Sequence, residues 1–66
     1  MNIANVHFST YIQLPNSSAL TKVFALTKGT SHTVTKTEFG VVITMKGHGP
    51  REYPWHTVEW IEYVAS

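Results

Sequence analysis

Residue types that commonly bind metals or carry out catalysis are few in this chain and widely spaced. The 66 residues include four histidines and four glutamates, but no cysteine and no aspartate. The histidines are separated by 25, 16 and 8 positions, and they are His7, His32, His48 and His56. This spacing matches no compact metal-binding motif, and thiolate ligands are ruled out. The sequence therefore predicts no metal site and no cofactor.

The serines and glutamates do not form a recognisable catalytic arrangement either. No Gly-x-Ser-x-Gly motif is present, and no aspartate is available to orient a histidine beside a nucleophile. Glu59 and Glu62 are three residues apart in an expected strand, which places their carboxylates on opposite faces. The segment Gly47-His48-Gly49-Pro50-Arg51 contains two glycines but lacks the Lys-Ser/Thr pair of a phosphate-binding loop. We therefore predict that the protein is not an enzyme.

A cluster of aromatic and basic residues near the end of the chain is the strongest signal for binding. The predicted binding residues are Lys46, Arg51, Tyr53, Trp55, His56, Trp60 and Tyr63. Trp, Tyr and Arg dominate the energetics of protein interfaces, so the favoured prediction is a surface that binds another protein. The same side chains can stack on bases while the cations neutralise phosphates, so a small nucleic-acid-binding protein is the alternative. A third interpretation places most of these rings in the core.

The last apolar stretch predicts that part of this cluster is exposed. Strict alternation places Val58 and Trp60 on one face of a strand, and Ile61 and Tyr63 on the other. Since only one face can lie inside a small domain, the second face is available for contact. A domain of this size without disulfides gains stability by burying a partner's surface. We therefore expect a homodimer, formed either through this strand or through an expected hairpin that contains residues 41–45.

The composition limits the class of protein. A chain of 7.4 kDa allows one domain, spanning residues 1–66. A net charge of +1 excludes the strongly basic balance of an obvious nucleic-acid-binding protein. No apolar run approaches the ~18 residues of a membrane span, and the first residues do not resemble a signal peptide. We therefore expect a cytoplasmic protein without membrane contact.

The elements that position these residues are predicted to be strands. Thr, Val, Ile and the aromatic types account for 28 of the 66 residues, and all of them favour pleated surfaces. From Val6 to Gln13, apolar positions alternate with polar ones, which predicts a strand with one buried face. Residues 33–37 and 41–45 flank Glu38-Phe39-Gly40, which predicts a hairpin with Gly40 available for a positive φ. Residues 17–28 favour a strand, with a helix as the alternative that would make the fold α+β.

Two segments together resemble a known class of small barrels. The strand Gly40-Val41-Val42-Ile43 and the turn Pro54-Trp55-His56-Thr57-Val58 are similar to those of SH3-like and Sm-like proteins. The resemblance implies an all-β, five-stranded antiparallel barrel in which a hairpin leads to a short strand. A single 3-10 turn then leads to a closing strand that pairs with the first strand.

The Tyr-Pro-Trp-His-x-Val ending has a resemblance of its own. It looks like the ends of short uncharacterised proteins of tailed bacteriophages. That resemblance implies a small accessory protein that acts in the host cytoplasm on a host or viral protein.

Overall fold

A computed structural model describes residues 2–16, 18–26 and 32–64 of the chain. The described residues form six strands and one 3-10 turn, Trp55–Thr57. The strands are β1 (Ile3–Gln13), β2 (Leu20–Ala25), β3 (Thr33–Lys36), β4 (Gly40–Thr44), β5 (Arg51–Pro54) and β6 (Val58–Tyr63). Because the described elements are strands and one 3-10 turn, the all-β prediction is confirmed. No helix within these ranges is long and apolar enough to cross a membrane.

The strands pair into two antiparallel sheets of three strands each. The first sheet has the order β2-β1-β6, and the second has the order β3-β4-β5. The 3-10 turn sends the chain from β5 in the second sheet to β6 in the first, where β6 pairs with β1. The predicted tight turn and closing strand are both present. The predicted five-stranded closed barrel is wrong, because no ladder joins the two sheets in the described part of the chain.

The core lies between the two sheets and draws equally on both. The buried side chains are Val6, Phe8, Ile12 and Phe24 from the first sheet, and Val41, Ile43, Met45 and Tyr53 from the second sheet and its loop. The rings of Phe8 and Tyr53 meet across the interface, with their centroids 5.3 Å apart. Burial of apolar surface between the sheets is the main stabilising contribution to such a fold.

Alternation along β1 is confirmed at most positions, but it fails at Thr10. Val6, Phe8 and Ile12 face the core, as predicted, whereas Thr10 is exposed. The register between β1 and β2 shifts between His7 and Ile12, so the ladder is irregular around Thr10. A break of this kind bends a strand and releases it from strict two-residue alternation.

The segment between the first two turns is a strand over the part that the structure describes. Leu20–Ala25 forms β2 and pairs antiparallel with β1, with Phe24 opposite Val6 in the core. The helical alternative for residues 17–28 is therefore wrong over residues 20–25. Ser17 and residues 27 and 28 lie outside the described residues.

Gly40 begins β4 for a reason different from the predicted one. The hairpin Thr33–Lys36/Gly40–Thr44 forms as expected, but Gly40 does not have a positive φ. A Cβ at this position would instead overlap the carbonyl oxygen of Tyr53 in β5. Among the residues that the structure describes, a positive φ occurs at Gly47, at 81°, in the β4–β5 loop. Gly40 therefore permits the close approach of two backbones.

Candidate functional site

A row of three side chains crosses the outer face of the first sheet, the face turned away from the core. His7 lies on the central strand β1, opposite Val23 of β2 on one side and Trp60 of β6 on the other. The imidazole of His7 and the indole of Trp60 are stacked, with centroids 3.7 Å apart and planes within 9° of parallel. The candidate site is this row, which we call the outer face.

A bulge in β6 is what turns Trp60 outward. Phe8 pairs with Val58 but His7 pairs with Trp60, so β6 contains one extra residue, Glu59, between the two pairs. As a result Val58 packs against the core, although strict alternation predicts that it shares a face with Trp60. The sequence prediction was wrong for Val58 because a bulge reverses the side on which the following residues emerge.

The outer face combines exposed apolar surface with polar groups. Trp60 is 48% exposed and Val23 is 41% exposed, although both lie within paired strands. His7 is half-buried, and its Nε2 has no hydrogen-bond partner among the described residues. Two pairs further along the same strands, the side-chain amide of Asn5 donates a hydrogen bond to Glu62 Oε1. The arrangement is a flat aromatic surface with a polar neighbour, which suits contact with a macromolecule.

The buried ring of Tyr53 does not belong to any exposed surface. Tyr53 is 6% exposed, and its hydroxyl donates a hydrogen bond of 2.6 Å to the main-chain carbonyl of Gln13. Burial raises the pKa of Tyr53, and the charge of Arg51 and its hydrogen bond partly offset this increase. Arg51 Nη1 donates to the same carbonyl at 3.0 Å. The structure places the ring of Tyr53 in the space between the sheets and not on the exposed surface that the sequence predicted for the binding residues.

Trp55 forms hydrogen bonds with the β3–β4 hairpin of the second sheet. Its Nε1 donates to the Thr37 carbonyl at 3.0 Å, and its main-chain N–H donates to the Phe39 carbonyl at 3.0 Å. These bonds attach the 3-10 turn to the β3–β4 turn. The indole remains 38% exposed, beside a Phe39 side chain that is 65% exposed.

The remaining predicted residues do not join Trp60. Lys36 of the second sheet donates a hydrogen bond of 2.7 Å to the Tyr63 hydroxyl and lies 5.0 Å from the centre of its ring. Tyr63 is therefore turned toward the second sheet, away from the outer face. Lys46 is exposed in the β4–β5 loop, and His56 is exposed in the 3-10 turn. The predicted cluster is thus divided among several parts of the molecule.

His7 and Val23 belong to the outer face but were not predicted to do so. Alternation in β1 did indicate that His7 points away from the core, yet sequence alone does not show which residues lie opposite it. That information depends on the register of β1 with both of its neighbours, which residues far apart in the chain determine.

Comparisons with known proteins identify no relative. The chain matches no protein-family model, and no curated protein and no solved structure is significantly similar to it. Among the described residues, no group of three or more His or Glu side chains is placed to hold a metal ion.

Proposed function

We propose that this chain is a non-enzymatic binding module that recognises another protein through its outer face. The observation that carries the proposal is Trp60, which is held against His7 by ring stacking and still exposes about half of its side chain. Tryptophan is the side chain most enriched among residues that dominate binding energy in protein interfaces.

Stacking makes Trp60 better prepared for binding than a free surface tryptophan. Ordering a mobile side chain at an interface costs about 0.5–1.5 kcal/mol. The 3.7 Å stack on His7 already restricts the indole, so less of this entropy is lost when a partner arrives. Val23 extends the apolar surface, and the Asn5–Glu62 pair supplies a polar group at its margin. This combination of an apolar centre and a polar edge is typical of protein interfaces.

The proposal is tested by affinity capture with two matched variants. Immobilised wild-type protein, Trp60→Glu and Phe39→Glu are exposed to a lysate of the source cell, and retained proteins are identified by mass spectrometry. Both variants place a carboxylate where an exposed ring stood, but Phe39 lies in the β3–β4 turn, away from the outer face. We expect a partner that the wild type and Phe39→Glu retain and that Trp60→Glu loses. Loss of a dominant contact of at least about 2 kcal/mol lowers affinity roughly 30-fold.

Circular dichroism of both variants provides the control for folding. Because the Trp60 side chain is not part of the core, the strand signal of Trp60→Glu should match that of the wild type. A folded Trp60→Glu that retains the same proteins as the wild type would contradict the proposal. The likeness of the C-terminal segment to short bacteriophage proteins stays a prediction, and it indicates host and viral proteins as the first partners to test.

A further inference from the structure

One end of the molecule is built from the β1–β2 hairpin and the β4–β5 loop. The carbonyl of Gln13, the last residue of β1, accepts hydrogen bonds from Arg51 at 3.0 Å and Tyr53 at 2.6 Å. Gln13 pairs with Leu20, where β2 begins, and Arg51 is the first residue of β5. The two connections therefore lie side by side. We call this part of the molecule the basic end.

Positive charge is concentrated at the basic end. Its cations are Lys22 in β2, Lys46 in the β4–β5 loop and Arg51, and the same loop contains His48. The side chains of Lys46 and His48 have no hydrogen-bond or ion-pair partner within the described ranges.

The acidic side chains lie elsewhere in the molecule. Glu52 lies within 3.5 Å of the Thr37 hydroxyl, and Glu62 is bound by Asn5. Glu38 lies in the β3–β4 turn, at the opposite end of β4, and Glu59 lies in β6. Three of the four lysine and arginine residues that the structure describes thus lie at one end of a chain whose net charge is only +1.

An exposed aromatic ring accompanies these cations. Tyr11 is 63% exposed, and Lys22 Nζ lies 5.3 Å from the centre of its ring. Leu20, two residues before Lys22, is 64% exposed. An open ring beside several cations is the combination that single-stranded nucleic acids require, since a base stacks on the ring while the cations contact the phosphates.

We propose that the basic end binds single-stranded nucleic acid, with Lys22, Lys46 and Arg51 contacting phosphates and Tyr11 stacking on a base. The basic end uses different side chains from the outer face, so variants of each test one proposal without removing residues of the other. An unpaired strand is favoured over a duplex because the bases of a duplex are already stacked on one another and cannot cover Tyr11. An acidic peptide would use the cations but would gain nothing specific from the ring.

The number of phosphate contacts is obtained from the salt dependence of the binding constant. Binding of a fluorescently labelled oligothymidine of about ten nucleotides is followed by anisotropy at two salt concentrations. Three phosphate contacts on a single strand give a slope of log K against log salt of about −2. A fourfold increase in salt should then weaken wild-type binding about 20-fold and weaken binding by Lys22→Gln or Lys46→Gln about sevenfold.

The matched control is a lysine at the far end of the molecule. Lys36→Gln removes the same charge from β3, where Lys36 contacts Tyr63, so its salt slope should equal that of the wild type. Tyr11→Ala should weaken binding by about 5- to 150-fold, the loss of one stacked base, without changing the slope. Circular dichroism of each variant confirms that the strands remain.

Four results would overturn the proposal. The first is an absence of binding at low salt, and the second is an equal loss in Lys36→Gln and Lys46→Gln. The third is a Tyr11→Ala variant that binds the oligonucleotide as tightly as the wild type. The fourth is binding of a duplex, inorganic polyphosphate or a polyglutamate peptide as tight as that of the single strand.

Discussion

Tyr53 is the residue at which protonation and stability are most directly linked. Its hydroxyl donates to the Gln13 carbonyl, and burial raises its pKa above the ordinary value of 10.0. The ionised form cannot donate this hydrogen bond and would place a charge between the sheets. The folded state therefore holds the proton more tightly than the unfolded chain does.

The stability of the protein should consequently decline in strong alkali because of Tyr53. A raised pKa contributes stability that is complete below about pH 10 and is lost as the pH rises through the folded-state pKa. The free energy of unfolding, measured by urea denaturation at several pH values, should fall more steeply above pH 10 in the wild type than in Tyr53→Phe. Tyr11→Phe alters an exposed ring and should show the wild-type decline. Parallel curves for the wild type and Tyr53→Phe would show that Tyr53 is not the source.

A second prediction at the level of one residue concerns the effect of replacing Gly40 on stability. A methyl group at this position meets the backbone of β5, which cannot move without breaking the ladder in which Gly40 pairs with Pro54. Gly40→Ala should therefore lower the free energy of unfolding by about 1–3 kcal/mol or more, the usual cost of overpacking. Gly49→Ala is the control, because nothing lies within 4 Å of a Cβ there. Thermal denaturation of the two variants makes the comparison, and equal melting temperatures would refute the close approach.

At the scale of elements, the β3–β4 turn is organised by one hydroxyl. Thr37 Oγ1 accepts hydrogen bonds from the main-chain N–H groups of Phe39 at 3.1 Å and Gly40 at 3.2 Å. The Thr37 main-chain N–H donates to the Gly40 carbonyl at 2.8 Å, and the Thr37 carbonyl accepts the indole N–H of Trp55. Thr37 thus closes the hairpin and connects it to the 3-10 turn.

Removing the Thr37 hydroxyl should destabilise the turn, whereas removing only the Thr37 methyl group should have a much smaller effect. Thr37→Val leaves two main-chain donors without their partner, and each such loss in a buried setting costs about 1–3 kcal/mol. Because this turn is partly exposed and water can replace the hydroxyl, we expect a total loss near the lower figure. Thr37→Ser keeps the oxygen and should lose much less stability. Chemical denaturation of both variants tests the prediction, and a Thr37→Ser variant as unstable as Thr37→Val would contradict it.

The identity of each element was more predictable than its detailed geometry. Alternation from Val6 to Ile12 and the turn formers around Phe39 are local signals, and they correctly indicated β1 and the β3–β4 hairpin. The extra residue Glu59 in β6 was not predictable, because a bulge depends on which residues of β1 pair with β6. The orientation of Trp60, and with it the outer face, therefore could be read only from the paired strands.

At the scale of the whole molecule, the sequence indicated strands that pack around a core, but it did not indicate whether the sheets close into a barrel. Burial patterns show which side of each strand faces inward, and that information is the same for a closed barrel and for two facing sheets. Closure depends on hydrogen bonds between edge strands, which no local pattern specifies. Pro54 marks the end of β5 because it lacks an N–H, and the chain then crosses to the first sheet.

Self-association is the prediction that depends on the whole surface. The buried positions of Val41, Ile43 and Met45 leave the 41–45 hairpin with little apolar surface to offer a second copy. Trp60 and Val23 remain exposed together, so we still predict that a second copy of the chain binds the outer face. A two-fold arrangement through this face is the simplest closed assembly, and the low proportion of charged residues gives little repulsion against it.

Light scattering coupled to size exclusion tests this assembly directly. At high micromolar concentration the wild type should show a mass close to twice 7.4 kDa. Trp60→Glu places a carboxylate at the centre of the contact and should return the mass to 7.4 kDa while the strand signal in circular dichroism is kept. Phe39→Glu adds the same charge at the β3–β4 turn and should remain dimeric. A wild type that stays monomeric over the whole concentration range would exclude the dimer, and the outer face would then be available to a different protein at all times.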